Sequence, residues 1–406
     1  MYLKQHESEQ NDGFLNQKKM EQSIINMKQI AIVGGGPGGL TLARLLQLKG
    51  ANVKVYERDI NKDARVQGAT LDLHEESGLA ALEEAGLMDA FKANYRPGAD
   101  ALRLVDKHAT IFFDDAFGGE EDQLHRPEID RGPLRKILLE SLQSDTVVWN
   151  SHLLNVEKVD EGWQLNFNNG TSVTADIVIA ADGANSKVRS LITPIKPFYA
   201  GVTVIEGAVN DSEKNVPVIH QLLNGGKIFA MSDSKTFIVS SKGDGSLVFY
   251  AGFNASESWA SSCGIDFKNE TEVRIWFKNT FADWNPIWFE LFEKAEPNFI
   301  VRPQYCMPLD QSWGTLPNMT MLGDAAHLMP PYAGEGVNMA MLDALELSRS
   351  LYDPSFDTIQ DAIAYYEKQM NIRFAEIGQI TLDQTASLHS EDALKNLLAM
   401  FTGGNQ

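Results

Sequence analysis

Cysteine is scarce: Cys263 and Cys306 are the two in 406 residues. That is too few for a disulfide framework and does not make a zinc site. Each thiol reads as small apolar filler, and a reducing cytoplasm is the expected compartment. Long apolar runs are absent too, with none of eighteen residues, so no membrane-spanning helix is expected. The opening "MYLKQHESEQNDGFLNQKKMEQSIINM" lacks the apolar core of a secretion signal, and a frayed extension over residues 1–27 is expected. Positive charge is short, 35 Lys and Arg against 55 Asp and Glu, for a net charge of −20. That balance argues against nucleic acid and against anionic membrane surfaces as partners. Internal repeats, low-complexity tracts, a Ser-His-Asp set and a metal-ligand cluster are all missing. What is present is globular: 43% hydrophobic and 22% charged residues, in a chain long enough for two or more domains.

Folding signals begin at "KQIAIVGGGPGGLTLARLLQLKGANVKVYERD". "IAIV" is an apolar run of the length of a buried parallel strand. Leucines at helical spacing follow and stop at Gly50, and "NVKVYE" reads as a second strand, so the stretch forms a βαβ unit. Further on, "DRGPLRKILLESLQ" predicts a helix and "GWQLNFNNGTSVTADIVIAADG" predicts strands with a hairpin turn. From about 200 to 255 short strand-like runs alternate with Gly-rich turns, the pattern of an antiparallel sheet. The last fifty residues predict long helix.

Gly34, Gly36 and Gly39 stand in G-x-G-x-x-G spacing. The first allows a tight turn, the second lets backbone approach a pyrophosphate, and the third lets helix pack on strand. Glu57 ends the second strand, where a carboxylate accepts from a ribose hydroxyl. A dinucleotide site follows from the strand before, the helix after and this acid.

A second specialised stretch, "GDAAHLMPPYAGEGVNMAMLD" (323–343), needs a different explanation. A simple NAD dehydrogenase has no use for it, whereas FAD carries a ribityl chain and ring well past its pyrophosphate. Asp324 at a strand end suits a ribityl hydroxyl. Pro331 stiffens a turn with few donors, and Gly334 and Gly336 admit backbone close to the ring. The helix opening at Val337 and Asn338 directs its N-terminus at the pyrimidine edge, where charge builds on reduction. A third stretch, "DIVIAADGANSKVRS", places Asp182 after a strand, followed by Ser186 and Arg189. His327 reads as a packed, hydrogen-bonded histidine rather than a catalytic one.

These three motifs, in this order, resemble the class A flavoprotein aromatic hydroxylases of the p-hydroxybenzoate hydroxylase type. "GATLDLHEESG", "PEIDRGPLRKILLESL" and "MLGDAAHLMPPYAGEGVN" are closest to the TetX-type tetracycline monooxygenases. The resemblance implies an α/β fold: a Rossmann-like FAD-binding domain, an interleaved antiparallel-sheet substrate domain and C-terminal helices. The expected segments are 28–82, 112–190 and 295–335 for the FAD domain, 83–111 and 191–294 for the substrate sheet, and 336–406 for the helices. It further implies that Arg58, Asp72, Arg131, Arg135 and Asp324 contact FAD and that Arg65 meets NADPH. The family's tetracycline-holding glutamine, arginine and histidine fall on Glu206, Lys227 and Val248. That change of chemistry puts tetracycline itself in doubt. Phe229, Phe237 and Met329 are candidates to wall the site against water, although such Met and Phe side chains are more often core than contact.

The expected activity is an NAD(P)H- and O2-dependent FAD monooxygenase acting on a phenolic or polyketide-like small molecule. By the resemblance the chemistry is that of a flavin C4a-hydroperoxide, so no side chain is assigned as catalytic and no metal is expected. A monomer is the expected state. A same-fold flavin reductase or desaturase, and a non-catalytic FAD-binding module, are the alternatives.

Overall fold

A computed structural model describes residues 25–64, 68–115, 126–297 and 299–402; Arg65 lies outside the described residues. β1 (Gln29–Val33), α1 (Pro37–Leu48) and β2 (Asn52–Tyr56) form the expected βαβ unit. β1 and β2 pair in parallel, Ile30 on Val53 through Val33 on Tyr56. On the other side of β1 lies the strand Ile177–Ala180, also parallel. The full sheet runs Met319–Met321, Ile177–Ala180, β1, β2, Val147–Val148. Its central strands are buried on both faces, as a sheet covered by helices requires. α1 starts at Pro37, whose fixed φ suits a first helical position, and inserts Leu40, Leu42, Leu45 and Leu46 into the core. Each such leucine contributes about 1.5–3 kcal/mol on burial.

A seven-stranded sheet makes the second layer. Its order is Ile300–Cys306, Phe198–Val209, Leu247–Asn254, Lys235–Ser241, Lys227–Ser232, Leu102–Val105 and Ile111–Asp114. One face packs Phe237, Val239, Phe249 and Ala251 against the helices Glu270–Thr280 and Ile287–Glu293. Phe237 sits there fully buried, with Phe277, Phe281 and Trp288 around it. It is therefore core and not a wall of the site, because alternation along the strand turns it away from the nucleotide layer. The other face meets that layer: the Tyr250 hydroxyl accepts from the Ala69 amide at 3.0 Å.

The segment limits shift in four places. Residues 112–114 and Ile300–Cys306 were expected in the FAD domain, yet the strands Ile111–Asp114 and Ile300–Cys306 both pair into the seven-stranded sheet. Their edge carbonyls and amides find ladder partners there. The helix Met88–Lys92, expected with the substrate sheet, packs Phe91 into the nucleotide core. The helix Gly336–Leu351 belongs to the same core through Met341, Ala344, Leu345 and Leu347, so the C-terminal helices do not form a separate layer. A 30-residue helix, Ile359–Leu388, then crosses the molecule and buries Tyr366, Met370 and Phe374. Among the described residues no helix is long and apolar enough to cross a membrane.

Candidate cofactor and substrate site

All three motifs leave the carboxyl ends of adjacent strands. β1 runs into Gly34, the strand Ile177–Ala180 into Asp182, and the strand Met319–Met321 into Asp324. Strand order reverses at β1, and the crevice outside such a switch point is where α/β sheets take ligands. Stretches nearly three hundred residues apart in sequence thus open on one trough.

The glycine turn divides its labour as the spacing predicts. Gly34 has φ +110°, and a Cβ there would lie 2.2 Å from the Ala181 carbonyl oxygen. A Cβ at Gly39 would lie 2.2 Å from the Gly34 oxygen, so the third glycine allows the helix to sit on the turn. At Gly36 a Cβ meets nothing within 4 Å, and this residue caps α1 with its backbone facing open space. Glu57 is buried and holds the loop: its Oε2 accepts from the Gly35 amide (2.6 Å) and its Oε1 from the Asp59 amide (3.0 Å).

The arginines differ from one another. Arg58 is exposed at the end of β2. Arg131, also exposed, donates to the Ala69 carbonyl at 3.1 Å. Arg135 is buried and commits both Nη groups, to Asp59 Oδ2 (3.0 Å) and the Lys62 carbonyl (2.9 Å), with Trp149 against its plane. Its visible work is to brace the loop after β2.

The second and third motifs are tied by Arg189. Its Nε and Nη2 donate to the carbonyls of Ala325 and Asp324, each at 2.6 Å, and its Nη1 donates to the Ala184 carbonyl at 3.1 Å. Asp182 accepts from the Lys187 amide through Oδ2, while its Oδ1 is buried without a partner among the described residues. Burial pushes this carboxyl above its usual range. Asp324 is open to solvent on one side, yet the surrounding protein pushes its carboxyl up too, against the pull of His327, Arg131 and Arg189. Acids of this kind are made to accept from neutral hydroxyls.

Beneath Asp324 lies a buried charge cluster. Asp343, with no exposed surface, accepts from the Gly323 amide (2.9 Å), His327 Nε2 (2.5 Å) and Arg373 Nη2 (2.8 Å). Burial alone would raise its carboxyl; these partners outweigh burial and hold it below the usual range. His327 is packed and hydrogen-bonded, stacked on Phe374. Asn338, equally buried, accepts from the His74 amide and donates to the Asp72 carbonyl, both at 3.0 Å. A Cβ at Gly334 would come within 3.3 Å of Asp72 Oδ1, so the ring-end turn lies directly on Asp72. Pro331 opens that turn as a 3₁₀ segment, and Gly336 and Val337 begin the helix behind it.

The four sheet residues do come together. Lys227, Ser240, Val248 and Ala208 form one cross-strand row, and Phe229, Ile238, Tyr250 and Glu206 form the next. All eight face the nucleotide layer. Lys227 is paired with the buried Glu128, and Glu206 with Arg302 at 2.5 Å. Val248 is covered by its neighbours, while Phe229 packs with Met231, Tyr332, Leu394 and Leu397. In the third row, Gly252 leaves room for His389 Nε2, which lies 3.3 Å from both Thr236 Oγ1 and the Tyr332 hydroxyl. His389 Nδ1 lies 2.8 Å from the Thr385 carbonyl, to which it donates. Burial, against that hydrogen bond, lowers this histidine to about 4 and keeps it neutral.

Sequence reasoning missed His74, Glu335, Asp343 and Glu128. All four lie inside the quoted stretches, but their roles rest on partners elsewhere in the chain: His74 on Glu335, Asp343 on Arg373 and Glu128 on Lys227.

The fold and trough define a flavoprotein of the doubly wound dinucleotide-binding class. The chain belongs to the FAD binding domain family, whose model matches residues 27–225 and 318–368, and its likeness to the class A aromatic hydroxylases stands. Among curated relatives, the monooxygenase penA of Penicillium thymicola is 27% identical, over 91% of this chain and 97% of its own. Among solved structures, Klebsiella pneumoniae HpxO, in complex with FAD and uric acid, superposes with TM-score 0.73 at 21% identity, over 93% of each chain. The tetracycline destructase Tet(51) superposes with TM-score 0.68 at 19% identity, over 92% of this chain and 93% of its own. At those identities the structures speak for the fold alone.

The residues fit FAD on their own chemistry. An open α1 N-terminus could take a pyrophosphate, the orphaned buried oxygen of Asp182 and the raised carboxyl of Asp324 could accept from hydroxyls, and a second helix N-terminus would lie at the ring end.

Proposed function

We propose that this chain is an FAD monooxygenase that uses NAD(P)H and O2 to place one oxygen atom on an electron-rich carbon of a phenolic or polyketide-like substrate. When bound and reduced, FAD supplies the oxygen-activating chemistry. The chain's residues do the rest. Gly34, Gly36 and Gly39 admit the pyrophosphate, with Glu57, Arg58 and Arg131 at the adenosine end. Asp182 and Asp324 take hydroxyls, and Asp72, Pro331, Gly334, Gly336, Val337 and Asn338 shape the ring end. Arg65 stands as the nicotinamide-nucleotide contact suggested by the family pattern.

The observation that carries this reading is the opposition of two surfaces. The ring-end turn, with Tyr332, faces a sheet whose exposed rows are largely apolar and whose charges are already paired. Such a wall favours an apolar ring system and keeps water from the reacting centre. Glu206, Lys227, Val248 and Phe229 lie on that wall. A tetracycline is one candidate, though the paired Lys227 and apolar Val248 favour a less polar molecule.

The test is a panel of phenolic compounds, tetracyclines and hydroxyquinolones included, scored with the FAD-loaded protein for stimulated NADPH oxidation. The expected result is a product heavier by one oxygen atom. NADPH consumption that yields only hydrogen peroxide across the panel would turn the reading into a reductase.

A further inference from the structure

We infer that His74 is a positioning residue for the ring end of the cofactor: its imidazolium bridges Asp72 and Glu335 and so pins the 331–338 turn to the 71–74 segment. The inference rests on FAD lying in the trough and not on the substrate or the oxygenation step.

The geometry is specific. His74 is 5% exposed and sits between two carboxylates, with Nε2 3.1 Å from Asp72 Oδ2 and Nδ1 3.3 Å from Glu335 Oε1. Asp72 underlies Gly334, and Glu335 is the residue from which the helix Gly336–Leu351 departs. One ring therefore joins both walls of the ring-end turn. Its own amide donates to Asn338 Oδ1, which fixes the same two segments a second time. Without a cation, Glu335 would set a bare negative charge at the helix N-terminus, directly beside the place where reduction adds another.

Several charged groups face this ring. Asp72 and Glu335 flank it. Arg126 faces Nε2 with Nε at 3.0 Å and Nη2 at 2.6 Å, and its Nε also lies 3.7 Å from Asp72 Oδ2. One step further, Lys227 acts on Asp72, and Glu128 lies opposite Asp72 on the neighbouring strand. Burial works against the protonated ring. The hydrogen bonds to Asp72 and Glu335 and the charge of Glu335 outweigh that burial and the opposing Arg126, raising His74 to about 9. A raised histidine stabilises fully below its unfolded value of 6.5, and the contribution is lost as pH rises through about 9. Above that pH the neutral ring keeps Nδ1–H on Glu335, while Nε2 accepts a hydrogen bond from Arg126 instead of donating to Asp72.

The test uses the full chain saturated with FAD, diluted into buffers from pH 6 to 10, with released flavin read by its fluorescence. Wild type should hold FAD with constant Kd from pH 6 to 8 and loosen about tenfold by pH 10. His74→Gln should bind about tenfold more weakly at pH 7 and lose that extra pH dependence. Deprotonation of the flavin itself is common to both proteins and cancels in their ratio. His74→Lys should rescue affinity at pH 7, since a cation suffices. Should His74→Gln fold poorly, Glu335→Gln removes one carboxylate and should move the wild-type midpoint to lower pH. Equal Kd values and identical profiles for wild type and His74→Gln would overturn the inference, as would an unshifted midpoint in Glu335→Gln. Failure of wild type to hold FAD at any pH would instead sink the cofactor reading.

Discussion

At the nucleotide end the trough is made of backbone; at the ring end it is made of side chains reaching across the fold. Gly34, Gly36 and Gly39 act through what they lack, and their neighbours are within a few residues or on the next strand. Asp343, Arg189, Asn338 and His74 act through bonds to segments as far as 266 residues away. The difference has a thermodynamic side. The glycine turn carries one buried acid, Glu57, satisfied by backbone amides, whereas the ring end depends on several buried ions that are stable only as a complete set.

The largest effect should fall on the glycine turn, and it should split in two. Gly34→Ala forces a Cβ into the Ala181 carbonyl at a positive φ, and should cost about 3 kcal/mol or more and abolish flavin retention. Gly36→Ala meets open space, so the fold should survive with an unchanged Tm while FAD affinity falls. Thermal melts beside flavin absorbance separate the two; equal behaviour would erase the division of labour.

Next comes Asp343→Asn, which removes the buried carboxylate shared by His327 and Arg373, leaves Arg373 with Glu346 alone, and should destabilise by about 3 kcal/mol. The sign of its pH dependence follows from a lowered carboxyl. Its stabilisation is present above the unfolded carboxylate value near 3.8 and is lost as pH falls through the lower folded value. The gap in stability between wild type and variant should therefore be constant at neutral pH and close only in acid. A gap that closed near neutrality would overturn that assignment.

The smallest effect is expected at Asp324→Asn, which keeps shape and gives up a charged acceptor. FAD affinity should drop roughly tenfold, in line with about 1.5–3 kcal/mol for a hydrogen bond to a charged group. Tm should barely move, because Asp324 is open on one side. A large loss of Tm would place it with the structural acids of the ring end.

Much of this was legible beforehand for a physical reason. Periodicity reports burial directly, so "IAIV" and the leucines of α1 announced the βαβ unit. Glycine spacing reports steric need, so the turn could be assigned residue by residue. Phe237 shows where such reasoning stops. Strand alternation puts Phe229 and Phe237 on opposite faces, but only the pairing register says which face meets the cofactor layer. Edge strands were misplaced likewise, because Ile111–Asp114 and Ile300–Cys306 are defined by partners from other segments. His74 carried no signal, being an ordinary polar residue until Asp72 and Glu335 close around it.

The sequence by itself determined the dinucleotide turn, the flavin-length second motif and the layered α/β class, since these follow from local sterics and the period of apolar residues. Only the tertiary structure decided which charges are paired, which face of the sheet looks inward, and that one histidine joins the two walls of the ring end. Those are matters of through-space distance, and distance between remote residues is not written in their spacing along the chain.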